Sequence, residues 1–454
     1  MKTWVEKLDK YRPLSDVFDL CYEDPMAVFL DSSLKGKLGR WSIIGLSPFL
    51  TLEEVNGKCY QNGEKVTLSF EEILEIYLKE NYEENKEELP MCAGGIGYFS
   101  YEYGRKFEQI KSRHGKKDSM PEACITFYNT LLIEDCKEKV LYVTARGITE
   151  SQEESVKRAK ALILSARTRE KIPKNKKRAS YTSDFTKEEY VKAIEKMIDY
   201  IVQGDMYIAN MTQRMETVST KHPYEVYRYL REHNPSPFGC YLNYGEFQIV
   251  SASPERFMQM KDGRIQTRPI KGTRKRGQTR EKDDKLRQEL EQSEKDRSEL
   301  LMIVDLERND LNRVCVPGSV KVTEHFAIEA YATVFHLVST IVGKLQTKLT
   351  ALDLIGAAFP GGSITGAPKI RAMEIIDELE HSQRGLYTGS MGYISFNGDC
   401  DFNIVIRTAV HRDGKYLIGV GGGITCESKP EDEYEETLQK AKAILEAIYE
   451  NTER

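Results

Sequence analysis

Hydrophobic residues recur at helical spacing in two long stretches of the chain. Between residues 186 and 205 they form one face with a period of 3.6 residues, which predicts an amphipathic helix. Thr186 and Glu189 have capping-box spacing at its start, and Gly204 is suited to end it. The same reasoning predicts a second helix over residues 70–82.

Shorter hydrophobic alternations, interrupted by glycine, are typical of strands and turns. Residues 93–105 are an example, and a strand is predicted over residues 206–215, after the first helix. Residues 94–102 (GGIGYFSYE) resemble residues 389–397 (GSMGYISFN), and we interpret both as sheet-edge segments of two related layers, one from each half. We therefore expect both halves of the chain to contribute strands.

A polar, basic stretch over residues 166–180 contains Pro173 and has no hydrophobic period. Such a stretch is typical of an exposed connector. It divides the 454 residues into a first part, 1–178, and a second part, 179–454.

Charge and composition exclude several kinds of protein. The formal net charge is −5, so the chain as a whole does not attract nucleic acid or an anionic membrane. No stretch approaches the roughly 20 apolar residues of a membrane span, and the first residues lack the apolar core of a secretory signal. The nine cysteines are scattered without a CxxC pair, and we interpret them as reduced thiols of a cytoplasmic protein.

Two further predicted helices carry acidic residues beside their apolar faces. Ser293 is placed to cap a helix over 293–310, and Ser428 with Glu431 has capping-box spacing at the start of a helix over 428–450. Asp296 and Glu299 share one face of the first helix. Glu433 and Glu436 share one face of the second, together with Lys440. Their carboxylates are suited to one Mg²⁺ ion, although a solvated helix surface has the same pattern.

Two glycine-rich stretches are candidates for anion binding. Residues 360–369 (PGGSITGAPK) lack the Gly-Lys-Ser/Thr ending of a phosphate loop, and Pro368 stands where its helix would begin, so we reject nucleotide binding. Residues 419–428 (GVGGGITCES) predict a turn with free backbone N–H groups ahead of a helix N-terminus. Such a place suits a carboxylate, and a plain tight turn is the alternative.

Four single residues are further candidates. Lys271 lies in the basic run RPIKGTRKRG. It is a candidate nucleophile or substrate clamp, and the alternative is that the run is a solvated loop. His336 and Arg407 each lie in an apolar, strand-like segment, where a histidine is often a satisfied core residue. A buried arginine usually has a carboxylate partner from the protein or from a ligand. Glu255 precedes Lys271 by a short distance along the chain.

Eleven segments taken together resemble the chorismate-utilising enzymes, among them the anthranilate, aminodeoxychorismate, isochorismate and salicylate synthases. In chain order they are GRWSIIGLSP (39–48), GGIGYFSYE (94–102), GDMYIANMTQR (204–214), SPERF (253–257), RPIKGT (268–273), SELLMIVDLERNDL (298–311), FHLVST (335–340), FPGGSITGAPK (359–369), GLYTGSMGY (385–393), FNIVIRT (402–408) and GGGITCESKPEDEYEET (421–437). The resemblance covers nearly the whole chain. It implies an α+β fold of two large antiparallel β-sheets packed as a sandwich with helices outside, and an active site in the second part of the chain.

The resemblance also implies the residues of that site. Glu299 and Glu436 match positions that hold Mg²⁺. The matching substrate-binding positions are Thr273, His336, Tyr387, Arg407, Lys440 and the backbone of Gly421, Gly422 and Gly423. Glu255 matches a general acid. Lys271 matches the lysine of aminodeoxychorismate synthases, where anthranilate synthases usually carry alanine.

The activity implied for an aminating member is the conversion of chorismate and ammonia to 4-amino-4-deoxychorismate, a precursor of p-aminobenzoate and folate. Lys271 would form a covalent adduct at C2, which requires a neutral amine, and we expect Arg268, Arg274 and Mg²⁺ to favour that state. Burial is expected to keep Glu255 protonated. Because the sequence has no nucleophilic cysteine of glutaminase type, a separate glutaminase subunit would supply the ammonia in a heterodimer.

Two departures from the family pattern change these expectations. Ile208 stands where water-adding members have a lysine base and aminating members often have glutamine, which disfavours isochorismate and salicylate synthesis. Residues 28–45 match the tryptophan-binding segment of anthranilate synthases, but FLDSS replaces the usual LLES and predicts a vestigial pocket. An anthranilate synthase component I remains the nearest alternative, and a polyanion-binding module built on residues 264–280 is a remote one.

Overall fold

The computed structural model describes residues 2–36, 38–115, 120–331 and 334–450. Lys37, from the segment 28–45, and residues 332–333, which precede the strand of His336, lie outside the described residues. The same holds for Met1 and residues 451–454, at the ends of the two predicted parts.

The described strands are β1 (Trp4–Lys7), β2 (Val28–Asp31), β3 (Trp41–Val55), β4 (Lys58–Gln61), β5 (Glu64–Lys65), β6 (Gly94–Phe99), β7 (Ala123–Asp135), β8 (Val140–Ala145), β9 (Thr182–Ser183), β10 (Ile208–Val218), β11 (Phe238–Asn243), β12 (Gln248–Ser253), β13 (Arg256–Lys261), β14 (Arg264–Thr267), β15 (Ile270–Lys275), β16 (Lys321–Ala330), β17 (Val334–Lys344), β18 (Gly366–Ala367), β19 (Ser390–Ser395), β20 (Cys400–Asn403), β21 (Thr408–Arg412) and β22 (Lys415–Ile424). The described helices are α1 (Leu14–Phe18), α2 (Phe70–Glu80), α3 (Gln152–Ser165), α4 (Lys187–Val202), α5 (Pro223–His233), α6 (Arg280–Gln292), α7 (Glu294–Asn312), α8 (Ala351–Ala358), α9 (Lys369–Leu379) and α10 (Pro430–Ile448). Two 3₁₀ helices span Tyr101–Lys106 and Gly362–Ile364.

The described strands pair antiparallel throughout. Pairings of β2 with β11 and of β6 with β19 join strands from the two parts of the chain. Hydrogen bonds therefore link the sheet strands of both parts into one network. The predicted α+β class, with antiparallel sheet and helices, is confirmed.

The hydrophobic core lies in layers. One cluster contains only strand and loop residues, among them Ile43, Tyr98, Ile249 and Met391, and it fills the space between sheet faces. A second cluster packs α2, α7 and α8 against strands, and a third does so with α1, α3, α5 and α10. Strands thus form the inner layers and helices cover them.

Three helix predictions are confirmed at their N-termini. Helix α4 follows Thr186, whose hydroxyl accepts the N–H of Glu189 in a capping box. Helix α2 follows Ser69, and α7 follows the predicted cap Ser293. In each case a short polar side chain satisfies an N–H group that has no partner within the helix.

Helix α10 begins differently from the prediction. Its first residue is Pro430 and its N-cap is Lys429, so the predicted capping box of Ser428 and Glu431 is wrong. Proline suits the first helical position because the N–H that it lacks would have no partner there. The hydroxyl of Ser428 instead donates to Glu433 at 2.8 Å.

The two similar glycine segments, β6 and β19, pair with each other, with Gly97 opposite Gly392. Each also has a second neighbour, β7 for one and β20 for the other. Both strands are therefore interior, and the prediction that they lie at sheet edges is wrong. A Cβ on Gly97 would collide with the carbonyl oxygen of Cys124, which explains a glycine in the middle of a strand.

Residues 166–180 contain no helix or strand and are mostly exposed, as expected of a connector. The division of the chain at residue 178 stays a prediction, because the β2–β11 and β6–β19 pairings cross it. A search of the described ranges for a helix of membrane-spanning length and hydropathy finds none.

Candidate active site

Three consecutive glycines, Gly421 to Gly423, lie in strand β22 opposite residues 210–212 of β10. The predicted turn is therefore wrong, since the strand continues through Ile424. Pairing with β10 outweighs the low strand propensity of glycine. Strand β21 accompanies β22 only as far as Ile418, so in the described part of the chain the following backbone edge has no strand on that side.

Lys271 enters the site from β15 beside a β-bulge. Gly272 forms the bulge with φ of +68°, and a Cβ there would lie 2.8 Å from the carboxyl carbon of Asp296. The Lys271 Nζ donates to the carbonyl oxygen of Ser363 at 3.2 Å. It also lies 3.5 Å from the position that a Cβ on Gly423 would take. The lysine and the glycine-rich strand, distant in sequence, therefore meet.

Glu255 lies within electrostatic reach of Lys271, on the segment between β12 and β13. The residue is 7% exposed. Burial raises its pKa, and Lys271 together with hydrogen bonds from Ser363 and the backbone of Ile270 opposes this rise without cancelling it. The raised pKa has the expected direction and favours a protonated acid.

Two arginines expected to act on Lys271 are already neutralised. The Arg268 guanidinium lies 2.7 Å from Glu329 and 3.3 Å from Glu324. Arg274 bonds Asp296 and a further carboxylate, each at 3.1 Å. Neither arginine therefore contributes a free positive charge that would favour a neutral Lys271, and that expectation is not supported.

Thr273 and His336 form one hydrogen-bonded pair across β15 and β17, with Oγ1 and Nδ1 2.9 Å apart. Burial, reinforced by Arg407, lowers the pKa of His336 to about 4, despite the opposing effect of Glu329. The imidazole is therefore neutral near pH 7, able to donate at one nitrogen and accept at the other.

Three carboxyl groups gather between α7 and α10, namely Glu299, Glu433 and Glu436. The Nζ of Lys295 lies 3.9 Å from Glu299 and 4.0 Å from Glu433, and Lys440 lies 2.7 Å from Glu436. Burial raises the pKa of Glu299 and of Glu433. Burial also acts to raise the pKa of Glu436, but Lys440 outweighs it and the pKa falls below its usual value.

The donor set fits a divalent cation that shares its ligands with substrate. Carboxylate oxygens are hard ligands of the kind Mg²⁺ prefers, and this ion usually keeps one or two carboxylates and completes its shell with substrate and water. Among the described residues, no group of three or more His, Cys, Asp or Glu side chains has the spacing of a complete metal site. A metal ion held by Glu299 and Glu436 would need further ligands from substrate and water.

Arg407 supplies a positive charge without a protein counter-ion. Its φ is +53°, and no ion pair joins its guanidinium to a carboxylate within the described ranges. Burial lowers the pKa of Arg407, opposed by Tyr387 and Glu436. The ring of Tyr387 packs on Gly419, where a Cβ would collide with it. Among the described residues, Arg407 therefore has no carboxylate partner from the protein.

Ser363 was not among the predicted site residues, and Glu433 was predicted only as a member of the acidic stripe. Ser363 contacts both Lys271 and Glu255, although it lies in the stretch 360–369 that was considered only as a phosphate loop. Lys369 of that stretch is buried and pairs with Asp310 at 2.7 Å. Glu433 shares its helix stripe with Glu436, and this shared stripe was the available signal.

Residues of the segment 28–45 line a separate cavity of about 130 Å³, together with β19 and β20. Trp41 and Tyr393 are among the lining residues. The Asp31 carboxylate is held by the Tyr227 hydroxyl at 2.8 Å and by Arg231 at 2.9 Å. A pocket is present in this segment, and its identity as a vestigial tryptophan site stays a prediction.

Comparison with known proteins places this geometry in a family. The model of the chorismate binding enzyme family matches residues 34–446. Anthranilate synthase component 1 of Aquifex aeolicus is 38% identical, covering 97% of this chain and 93% of the relative. Aminodeoxychorismate synthase component 1 of Bacillus subtilis is 39% identical, covering 90% and 89%.

A solved structure agrees with these relatives. Anthranilate synthase component I from Streptococcus pneumoniae TIGR4 superposes with a TM-score of 0.80 at 31% identity, covering 91% of this chain and 93% of that one. The aminodeoxychorismate and anthranilate synthases are similar to this chain to the same degree, so overall similarity does not decide the product. The shared fold, the matched residues and the assembled site show that the chain belongs to the chorismate binding enzyme family.

Proposed function

We propose that the chain converts chorismate and ammonia to 4-amino-4-deoxychorismate. The observation that carries this proposal is the placement of the Lys271 amine between Ser363, Gly423 and Glu255. A nucleophile needs an acid beside the leaving group, and the raised pKa of Glu255 suits it to that role.

Substrate binding would use the positive charge of Arg407 and the backbone of the glycine-rich end of β22. Chorismate carries two carboxylates, and Arg407 is free to pair with one of them. Lys440 already donates to the carbonyl oxygen of Gly421 at 2.7 Å, so it lies where it would meet a carboxylate bound along the glycine strand. Glu299 and Glu436 would hold Mg²⁺, which when bound supplies counter-charge and a template for the other carboxylate.

The proposed reaction is balanced by the chain's own groups. Neutral Lys271 forms a C–N bond at C2 of the ring, the two ring double bonds shift from C1=C2 and C5=C6 to C1=C6 and C4=C5, and the C4 hydroxyl leaves with the proton of Glu255 as water. Ammonia then forms a bond at C4, both double bonds shift back, and the C2–N bond to Lys271 breaks. The proton released by the added ammonia returns to Glu255. Thr273 and neutral His336 would line the pocket beside these atoms.

Ile208 supports ammonia as the second nucleophile. Its Cδ1 and the Nζ of Lys271 both lie 3.5 Å from the position of a Cβ on Gly423, so an apolar side chain stands beside the reactive amine. An isoleucine has no group that removes a proton from water, and it excludes water from this wall. Isochorismate and salicylate synthesis are disfavoured for this reason.

We propose a glutaminase subunit as the source of ammonia. Relatives named component 1 imply a second component. Of the nine cysteines, only Cys426 is exposed, and the sequence has no glutaminase motif around it. Purified chain incubated with glutamine should release no ammonia, and release at the rate of amination would contradict this proposal. The unpaired thiols are also consistent with a cytoplasmic protein.

The polyanion-binding alternative loses support. Within the basic run, Arg268 and Arg274 are paired as described, and both Asp283 oxygens bond Arg276, at 2.6 and 2.8 Å. Charges that are neutralised internally are not available to phosphates.

Product identification is the deciding experiment. The purified chain is incubated with chorismate, Mg²⁺ and a high ammonium concentration, and the products are separated by chromatography. A non-fluorescent aminated product that retains its pyruvyl group is expected. Fluorescent anthranilate with released pyruvate would refute the proposal and favour anthranilate synthase, the activity of the 38% identical Aquifex aeolicus relative.

A further inference from the structure

Helix α7 carries another carboxyl group, Glu307, to the floor of the site, two turns beyond Glu299. A Cβ on Gly362 would lie 3.6 Å from the Cγ of Glu307, so the loop that contains Ser363 lies directly against this side chain. No step of the proposed reaction uses Glu307.

Thr267 makes two hydrogen-bonding contacts, one of them with Glu307. The Thr267 hydroxyl lies 2.7 Å from the carbonyl oxygen of Phe257 and 2.9 Å from Oε2 of Glu307. A carbonyl oxygen only accepts, and a hydroxyl has one hydrogen to donate. The threonine hydrogen therefore points to Phe257, at the shorter distance. A hydrogen on Glu307, as in a neutral carboxylic acid, would complete the second contact.

The charges around Glu307 agree with this protonation. Burial raises its pKa to about 8; Glu255 and Asp310 add to the rise, and Lys369 acts against it. Asp310 and Lys369 form a buried ion pair at 2.7 Å and largely cancel each other. Glu255 is thus the nearby charge to which Glu307 responds most directly.

Adjacent residues of one loop connect the two carboxyl groups. Gly362 lies against Glu307, while the Ser363 side chain hydrogen-bonds Glu255 and the Ser363 carbonyl oxygen accepts a hydrogen from Lys271 Nζ at 3.2 Å. A change of charge on Glu307 therefore acts on Glu255 through space and on the loop that holds it.

We propose that Glu307 is a positioning residue which, as a neutral acid, keeps Glu255 able to release its proton to the leaving hydroxyl. The inference rests on the role of Glu255 in the proposed function. When Glu255 transfers its proton to the C4 oxygen, the C4–O bond breaks, water forms and Glu255 becomes a carboxylate. A second carboxylate in the same pocket would oppose that charge. Glu307 keeps its proton throughout.

The first test is the pH profile of Glu307→Gln, because glutamine is a neutral isostere that can still donate to Thr267. Amination rates of the variant and the wild type are measured at saturating chorismate from pH 7 to 9, and their ratio is taken at each pH. The ratio cancels changes in free ammonia and in Lys271. It should rise about tenfold, since a group of pKa about 8 is mostly neutral at pH 7 and mostly ionised at pH 9.

Asp305→Asn is the matched control, because Asp305 lies on the same helix, has a side chain that is 61% exposed, and among the described residues pairs with Arg308 alone. Its rate ratio to wild type should stay constant over the same pH range. A constant ratio for Glu307→Gln as well would overturn the inference.

Infrared titration gives a second readout that does not depend on the product. The full-length chain should show a protonated-carboxyl band that disappears around pH 8. That band should persist in Glu255→Gln and be missing from Glu307→Gln. Its absence from Glu255→Gln would assign the proton to the other carboxyl and overturn the inference. If the chain makes anthranilate, the band is still expected, so failure of the proposed function is distinguishable.

Discussion

Replacing Gly272 by alanine tests why the bulge beside Lys271 requires glycine. The residue has φ of +68°, a left-handed conformation that costs other L-residues about 1–2 kcal/mol. A Cβ would also lie 2.8 Å from the Cγ of Asp296 and 2.8 Å from the Cδ1 of Leu290, and such overpacking costs about 1–3 kcal/mol. We expect the free energy of unfolding to fall by about 2–5 kcal/mol in total.

Gly263→Ala separates the two contributions. Gly263 has φ of +71° in the turn between β13 and β14, and a Cβ there would meet nothing within 4 Å. This variant should lose only the backbone contribution, about 1–2 kcal/mol. Urea-induced unfolding of the wild type and both variants, followed by circular dichroism at pH 7, measures the difference.

Activity gives an independent check on the same pair. Because the clash displaces Asp296 or the bulge, Gly272→Ala should lower kcat for amination, whereas Gly263→Ala should leave it unchanged. Equal losses of unfolding free energy in the two variants would show that the space around Gly272 is not limiting, and the reasoning would fail.

Three further predictions concern the site. Lys271→Ala should abolish ammonia-dependent product formation while circular dichroism stays unchanged; full activity would exclude the nucleophile. Arg407→Ala should raise KM for chorismate about 10- to 150-fold, the loss of one charge-assisted bond, with little effect on thermal stability because no protein carboxylate loses its partner; an unchanged KM would contradict the assignment. The pKa of His336 is lowered from 6.5 to about 4, so the unfolded chain binds a proton between these values that the native chain does not, and stability is lost as pH falls from 6.5 towards 4. His336→Gln should therefore lose less stability than the wild type between pH 7 and pH 5 in thermal unfolding, and equal losses would refute this.

Local signals predicted local structure well. The caps at Thr186 and Ser293 depend on residues within one helical turn, and both were found as predicted. The glycines 421–423 were predicted as a turn because their strand character comes from pairing with β10, about 210 residues away, which no local pattern contains. Long-range partners decide strands of low intrinsic propensity.

The dependence on long-range contacts also limits what the sequence predicts about the site. Lys271, Glu255, Glu299 and Glu436 were identified through the resemblance, and the structure brings each of the three carboxyl groups within electrostatic reach of Lys271. The carboxylates that neutralise Arg268 and Arg274 were not predicted, because most of them come from strands and helices whose register the sequence does not specify. The contacts of Thr267 with Phe257 and Glu307 likewise depend on the fold and were not predicted from the sequence.

Each part of the chain covers strand edges of the other, because β6 pairs with β19 and β2 pairs with β11. A cut within the exposed stretch 167–178 would break one covalent connection and leave every described strand pair intact. The two fragments should therefore co-purify as a nicked protein. Either fragment produced alone would instead expose unpaired strand edges of four and six residues, which favours aggregation. We therefore expect the chain to fold as one unit whose link can be cut.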